Sequence, residues 1–168
     1  MKCLSYIIRH KWYVIVANYK YGLGLSFWRV LKHDVSKFTF KEYIPYRNKY
    51  FKGYSDPRYI ESWLHHKNHN EHHPAYWCDL NVKDGELNVE LHDMSYTAIR
   101  EMICDWIAMC REFTKSWPTE SKWDWYYKLD GGFEKNTRAM MSEKSIERLE
   151  GILVSIGLTG KEKQLKKL

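Results

Sequence analysis

Apolar and polar positions recur at helical spacing along nearly the whole chain, and they divide it into a succession of helices. The first helix is predicted over residues 4–21, with Cys3, Ile7, Val14 and Ala17 in one apolar stripe and His10 in the middle of it. Gly22 and Gly24 end it, and Ser26 is placed to cap a second helix. In that second helix Phe27, Leu31, Asp34 and Phe38 share one face, so Asp34 points where a core residue is expected, and His33 and Lys37 share the neighbouring face. A third helix is predicted from Thr39 to about Tyr50, and a fourth from Asp56 or Pro57 through the histidines up to Pro74. Residues 79–94, with Asp84-Gly85, read as a loop or short hairpin. Ser95 then caps a helix to about Phe113 whose inward row is Ala98, Met102, Asp105 and Met109. Helices over 119–129 and 142–156 follow, separated by Asp130-Gly131-Gly132. No repeat or linker interrupts the pattern, which predicts an all-α bundle: a single domain over residues 1–160 and a basic tail over 161–168.

Composition narrows the setting. The 168 residues are 44% hydrophobic and 16% aromatic, with eight Trp and thirteen Tyr, enough to build one core from few side chains. A formal charge of +6 favours anionic partners, although Lys161, Lys163, Lys166 and Lys167 of the tail carry much of it. Cys3, Cys78, Cys104 and Cys110 have no CxxC spacing and read as thiols in a reducing cytoplasm. The apolar run Tyr13–Ala17 is too short for a signal peptide or a membrane span, so no membrane partner is expected. Nucleic-acid binding is disfavoured, because the aromatics fall mainly on core stripes and the basic residues are dispersed.

The candidate chemistry lies in the histidines. Their order is His10, His33 directly followed by Asp34, then the cluster His65, His66, His69, His72 and His73, with Asp105 in a later helix. Imidazole and carboxylate are the ligands of borderline and hard divalent ions. His10, Asp34 and Asp105 fall on core-facing positions of three helices. A buried carboxylate needs a partner, which a shared cation supplies and a buried ion-pair network also supplies. If residues 65–73 are helical, His66 and His73 lie about 20° apart on the wheel and His65 and His72 form a second pair, with His69 between. One row then binds metal and the others contact substrate or support the ligands; the plainer reading of this polar stretch is a solvated helix face. Motifs of zincins, zinc deaminases, P-loop proteins and serine hydrolases are missing. His69-Asn70 with His73 loosely resembles a ββα-metal nuclease, but the surrounding pattern is helical.

The order H…HD…H…HH…D on a helical chain resembles the HD-domain superfamily of metal-dependent phosphohydrolases, with His33-Asp34-Val35-Ser36-Lys37 similar to its HDxxK stretch. The stretches His33 to Phe38, Trp63 to Trp77 and Glu101 to Trp106 look more closely like a family of phages and bacteria catalogued as a domain of unknown function. The resemblance runs from about His10 to Arg138. It departs from the dinuclear cyclic-dinucleotide phosphodiesterases in lacking their Gly-Tyr-Pro segment and in compressing the histidine spacing. The resemblance implies an HD-like bundle in which His10, His33, Asp34 and Asp105 hold one ion. It further implies that Asp34 is able to bridge to a second ion, completed by His66 and one or both of His72 and His73. It implies one or two divalent ions (Mn, Fe, Mg, Ni or Zn), and two ions about 3.5–4 Å apart suit in-line displacement at phosphorus. Lys37 resembles the lysine that contacts a substrate phosphate. His65 and Arg138 are further candidates for substrate contact, and Asp34, Lys37 and His69 for the catalytic step. The expected activity is hydrolysis of a nucleotide or cyclic nucleotide. Phage association suggests a host signalling nucleotide, met in the host cytoplasm. The alternatives are a di-iron oxygenase of the same fold and a protein that sequesters a nucleotide without turnover.

Overall fold

The computed structural model describes residues 2–83, 85–120, 123 and 137–158. Six α-helices are described: α1 (Lys2–Lys20), α2 (Phe27–Lys32), α3 (Phe40–Phe51), α4 (Tyr59–His69), α5 (Tyr96–Thr114) and α6 (Glu143–Ser155). Single 3-10 turns lie at Val35–Phe38 and Pro74–Trp77. One antiparallel hairpin, β1 (Cys78–Lys83) and β2 (Glu86–Leu91), joins the His-rich turn to α5. The chain is therefore mostly helical, and the expectation of a purely α fold is corrected by that hairpin. Gly85 has φ of +80°, a conformation that favours glycine in a tight strand connection.

Serine caps fix three helix starts, two of them (Ser26 and Ser95) read from the sequence. Ser26 Oγ accepts from Arg29 N at 3.2 Å, Ser95 Oγ from Ala98 N at 3.1 Å and Ser142 Oγ from Ser145 N at 3.2 Å. α5 is the axis of the core, burying Ala98, Ile99, Met102, Ile103, Trp106 and Ile107. α1 packs along it through Val14 and Ala17, and α6 through Leu149, Ile152 and Leu153. α3 and α4 pack on each other, and α3 also touches α1. The turn Val35–Phe38 touches both α3 and α4, which sets residues 33–34 between the α1/α5 pair and the α3/α4 pair. Cys3, Cys78, Cys104 and Cys110 are free thiols. No helix among the described residues is long and apolar enough to cross a membrane. The helix expected over 119–129, the Asp130-Gly131-Gly132 break and the tail 161–168 fall almost wholly outside the described residues.

Candidate metal centre

The second helix stops earlier than its periodicity predicts, and this stop builds the site. α2 ends at Lys32, and Asp34 takes a left-handed conformation at φ of +52° before the turn Val35–Phe38 begins. Aspartate is among the few non-glycine residues that tolerate this region. Lys11 of α1 holds the break, donating from Nζ to Leu31 O at 2.8 Å and to His33 O. Asp34 therefore does not share a buried face with Phe27, Leu31 and Phe38. Those three are exposed, whereas His33 and Asp34 are turned inward together, each 1% exposed.

The fourth helix is also shorter than expected. It ends at His69; Asn70 is extended, and the chain turns through His72 and His73 into Pro74–Trp77. Asn70 Nδ2 closes the turn, donating to His66 O at 2.7 Å and Ser36 Oγ at 2.9 Å. Trp77 Nε1 donates across it to Glu71 O at 2.7 Å. His66 and His73 still meet, with their Nε2 atoms 2.9 Å apart, but through a turn and not along a helix face. His65 does not pair with His72. Its ring stacks on His69 at 4.0 Å, and His69 is exposed with Nδ1 at 2.7 Å from His65 O. Because the helix ends there, His65 turns to Glu42 of α3 while His69 stays exposed, and neither lines the cavity described below. Arg138 is likewise elsewhere, its Nη1 donating to Glu150 Oε1 of α6 at 2.9 Å.

The remaining candidates converge. Besides a smaller group of His33, His72 and Glu101, there are two four-residue groups, His10, His33, Asp34 and Asp105 in one and Asp34, His66, His72 and His73 in the other; within each, one ligand atom per residue lies within 4.8 Å of all the others. Asp34 belongs to both. Its Oδ2 is 3.5 Å from His33 Nε2, and its Oδ1 is 3.5 Å from both His66 Nε2 and His72 Nε2. His33 Nε2 is also 3.7 Å from Asp105 Oδ1. Two donors each about 2.1 Å from one tetrahedral ion stand about 3.4 Å apart, so these spacings suit a shared cation.

Unsatisfied atoms point the same way. Both ring nitrogens of His10 and His72, His33 Nε2 and Asp34 Oδ1 are buried without a hydrogen bond. His10 Nε2 stands 2.9 Å from Asp105 Oδ1, close but misaligned for one. Leaving such an atom unpaired costs about 1–3 kcal/mol. Charge is unbalanced as well. Among the described residues, the four carboxylates of Asp34, Asp105, Glu42 and Glu101 meet three permanent cations here: Lys37 on Asp34, Arg29 on Glu101 and, at longer range, Lys11 beside His33 O. Burial opposes a proton on His33, yet Asp34, Asp105 and Glu101 raise its pKa to about 10. Burial and neighbouring imidazoles lower the pKa of His72 and His73, which keeps them in the neutral form that binds metals. The donor set therefore fits one or two divalent ions.

Two glutamates not singled out as site residues in the sequence orient these rings. Glu101 Oε1 accepts from His33 Nδ1 at 3.0 Å and lies 3.4 Å from His72 Nδ1. Glu42 is fully buried and accepts from His66 Nδ1 at 2.9 Å, His65 Nδ1 at 2.7 Å and Ser36 Oγ at 3.1 Å. His33, His66 and His72 thus each turn Nδ1 to a glutamate and Nε2 to Asp34, the arrangement that fixes tautomer and direction in metal-binding histidines. Glu101 precedes Asp105 by one helical turn, so the i, i+4 spacing carried a signal for it. Glu42 gave none beyond its place in a helix.

A cavity of about 690 Å³ opens beside the cluster. Lys37, His66, His73 and Asp105, with the Arg9–Glu112 ion pair, contribute its charged and imidazole lining, and Tyr6, Tyr46, Tyr50, Phe51, Trp63 and Trp106 much of its wall. The Tyr46 hydroxyl is buried there without a partner. Burial opposes the Lys37 charge, but Asp34 and Asp105 raise its pKa, so the ammonium stays charged.

No curated protein and no solved structure matches the chain. The profile of one family matches residues 1–147, most of the sequence. The chain that carries these two groups on a shared aspartate belongs to the family of unknown function DUF5662.

Proposed function

We propose that this protein is a metal-dependent phosphohydrolase acting on a nucleotide or cyclic nucleotide, on an HD-like helical fold. The observation that carries the reading is the pair of buried ligand groups joined by Asp34 and set beside a cavity that also holds a lysine. When bound, divalent ions supply an activated water and neutralise charge on a phosphoryl group. The chain's own residues supply the rest. Lys37 keeps a fixed positive charge at the cavity, where phosphoryl oxygens gain charge in the transition state. Tyr6, Tyr50, Trp63 and Trp106 offer flat apolar surface for a base, and the Tyr46 hydroxyl is an unused polar contact. Glu42 and Glu101 hold the imidazoles in one direction, so little reorganisation is needed on binding.

Elemental analysis of protein purified without chelator, followed by hydrolysis assays on a panel of nucleotides and cyclic nucleotides, tests the reading. Stoichiometric divalent metal is expected, with hydrolysis abolished by chelation and restored by the ion under anaerobic conditions. Protein that holds no metal and takes up none on reconstitution overturns it. A strict oxygen requirement replaces hydrolysis with the oxygenase alternative, and tight retention of intact nucleotide in the metal-loaded protein replaces it with sequestration.

A further inference from the structure

The hairpin inverts the usual partition of side chains. Its register sets Cys78 against Leu91, Leu80 against Val89 and Val82 against Leu87, alternating with Asp79–Glu90, Asn81–Asn88 and Lys83–Glu86. Because successive residues point to opposite faces, one face of the ribbon is aliphatic and the other polar. Leu80, Val82 and Leu87 are 70%, 73% and 70% exposed, and Val89 is 58% exposed. An apolar face backed by a polar one is the pattern of a sheet that packs on another sheet. A lone two-stranded ribbon is at best marginally stable in water.

We propose that this face is an interface between two copies of the chain, stacked hairpin on hairpin across a two-fold axis. An isologous contact requires only that the patch complement itself. The rectangle formed by Leu80, Val82, Leu87 and Val89 does so, since it holds branched aliphatics of similar size and no charged or hydrogen-bonding side chain. Both partners then keep Asp79, Glu86 and Glu90 on the outer, solvated face. The area is sufficient for a modest dimer. Complete burial of the face removes on average roughly 100 Å² from each of five aliphatic side chains per copy, Leu91 at 36% exposed giving least, so the pair buries at most about 1,000 Å², the lower bound for a specific interface. A dissociation constant in the micromolar range is therefore expected. The inference is independent of the metal centre, because none of these residues belongs to the ligand groups or lines the cavity.

Sedimentation of the full-length protein from about 1 µM to about 100 µM brackets that affinity and reads the association directly. The wild type shifts from monomer to dimer over the range. The double variant L80D/L87D stays monomeric throughout, and N81T/N88T, on the polar face, dimerises as wild type does. Metal uptake is the same in all three. Hydrogen exchange of the wild type gives a readout that needs no variant: amides of 78–91 become protected as concentration rises. A wild type that remains monomeric at the top of the range overturns the proposal. So does a dimer that survives L80D/L87D, or hairpin exchange that does not change with concentration.

Discussion

The centre of the molecule buries His33, Asp34, Glu42, His66, His72 and Glu101, while the hairpin leaves Leu80, Val82, Leu87 and Val89 in water. Both regions depart from the polar-outside rule, in opposite senses, and the two departures differ in strength. A buried charge without compensation costs several kcal/mol and is directional, because its donors stand at fixed spacings. An exposed aliphatic side chain forgoes about 1.5–3 kcal/mol of burial and accepts any apolar neighbour. The centre therefore calls for a small, charged and geometrically exact partner, and the hairpin for a broad and undemanding one. The proposed ion binding at one region and the proposed self-association at the other draw on the same physics.

The largest effect that would break the comparison is at Asp34, the residue shared by both ligand groups. Asp34→Ala is expected to abolish metal binding and hydrolysis together, whereas Asp105→Asn, which alters one group only, should lower the metal stoichiometry and leave the second group able to bind. Metal analysis of the two variants decides it. Equal metal content in Asp34→Ala and wild type would falsify the shared-ligand arrangement. Lys37→Ala comes next. It should keep its metal and lose about 10²–10³-fold in turnover, the usual effect of deleting one group that stabilises transition-state charge. Metal loss in this variant as complete as in Asp34→Ala would mean that the lysine serves structure instead.

The orienting glutamates sharpen the picture at a smaller scale. Removing a carboxylate behind a ligating histidine typically costs 10–100-fold in metal affinity. Glu101→Gln touches His33 in one group and His72 in the other, so it should weaken both binding steps. Glu42→Gln touches only His66 among the ligands and should weaken one. Titration calorimetry separates these outcomes, and identical effects on both steps from Glu42→Gln would contradict the division of labour.

How far the sequence foretold this depends on whether local pattern or chain reversal places a residue. The stripes of α1 and α5 follow helical periodicity, and they put His10 and Asp105 where the structure has them. Ser26, Ser95 and Ser142 mark true helix starts because their hydroxyls answer first-turn amides. Asp34 faces inward as expected, but for another reason. Periodicity assumes an unbroken helix, and one left-handed residue redirects both neighbours. The same holds for His72 and His73, which a turn held by Asn70 and Trp77 delivers to Asp34. The wheel that correctly paired His66 with His73 also paired His65 with His72, and the helix stop at His69 removed that second pairing. Glu42 was not legible, since its burial depends on α4 packing across it. The cavity arises from α1, α3, α4 and α5 together and has no signature in any one of them.

Acidity probes the charge deficit of the centre. In the folded protein His33 is raised to about 10 from its ordinary 6.5: burial opposes the proton, and Asp34, Asp105 and Glu101 outweigh burial. That proton adds stability which is complete below pH 6.5 and is lost as pH rises towards 10. His72 and His73 shift the other way, so stability falls as pH drops below their ordinary 6.5. Asp34, Asp105 and Glu101 are held below the usual carboxylate range despite burial, by the cations and imidazoles around them, and they extend that loss into acid. In chelator, the melting temperature should therefore peak near pH 6.5. With a bound ion His33 must give up its proton, affinity rises with pH, and the alkaline decline should flatten. A decline of the same slope with and without metal means that no ion reaches His33.

The smallest expected effect belongs to the hairpin, and it tests the other half of the comparison. Leu80 and Leu87 are each 70% exposed among the described residues, so Leu80→Ser or Leu87→Ser in dilute protein should change unfolding stability by no more than about 0.5 kcal/mol, as for surface substitutions generally. An equivalent change at Ile103 on α5, which is fully buried, should cost about 2–5 kcal/mol. Raising the concentration above the dimer midpoint should open a gap between wild type and the hairpin variants, since association stabilises only the form that dimerises. Urea unfolding at two protein concentrations measures both quantities. A loss of about 2 kcal/mol for Leu80→Ser in dilute protein would place a packed neighbour on that face within one chain. The aliphatic ribbon would then be an ordinary part of the core, and the contrast with the polar centre would fail.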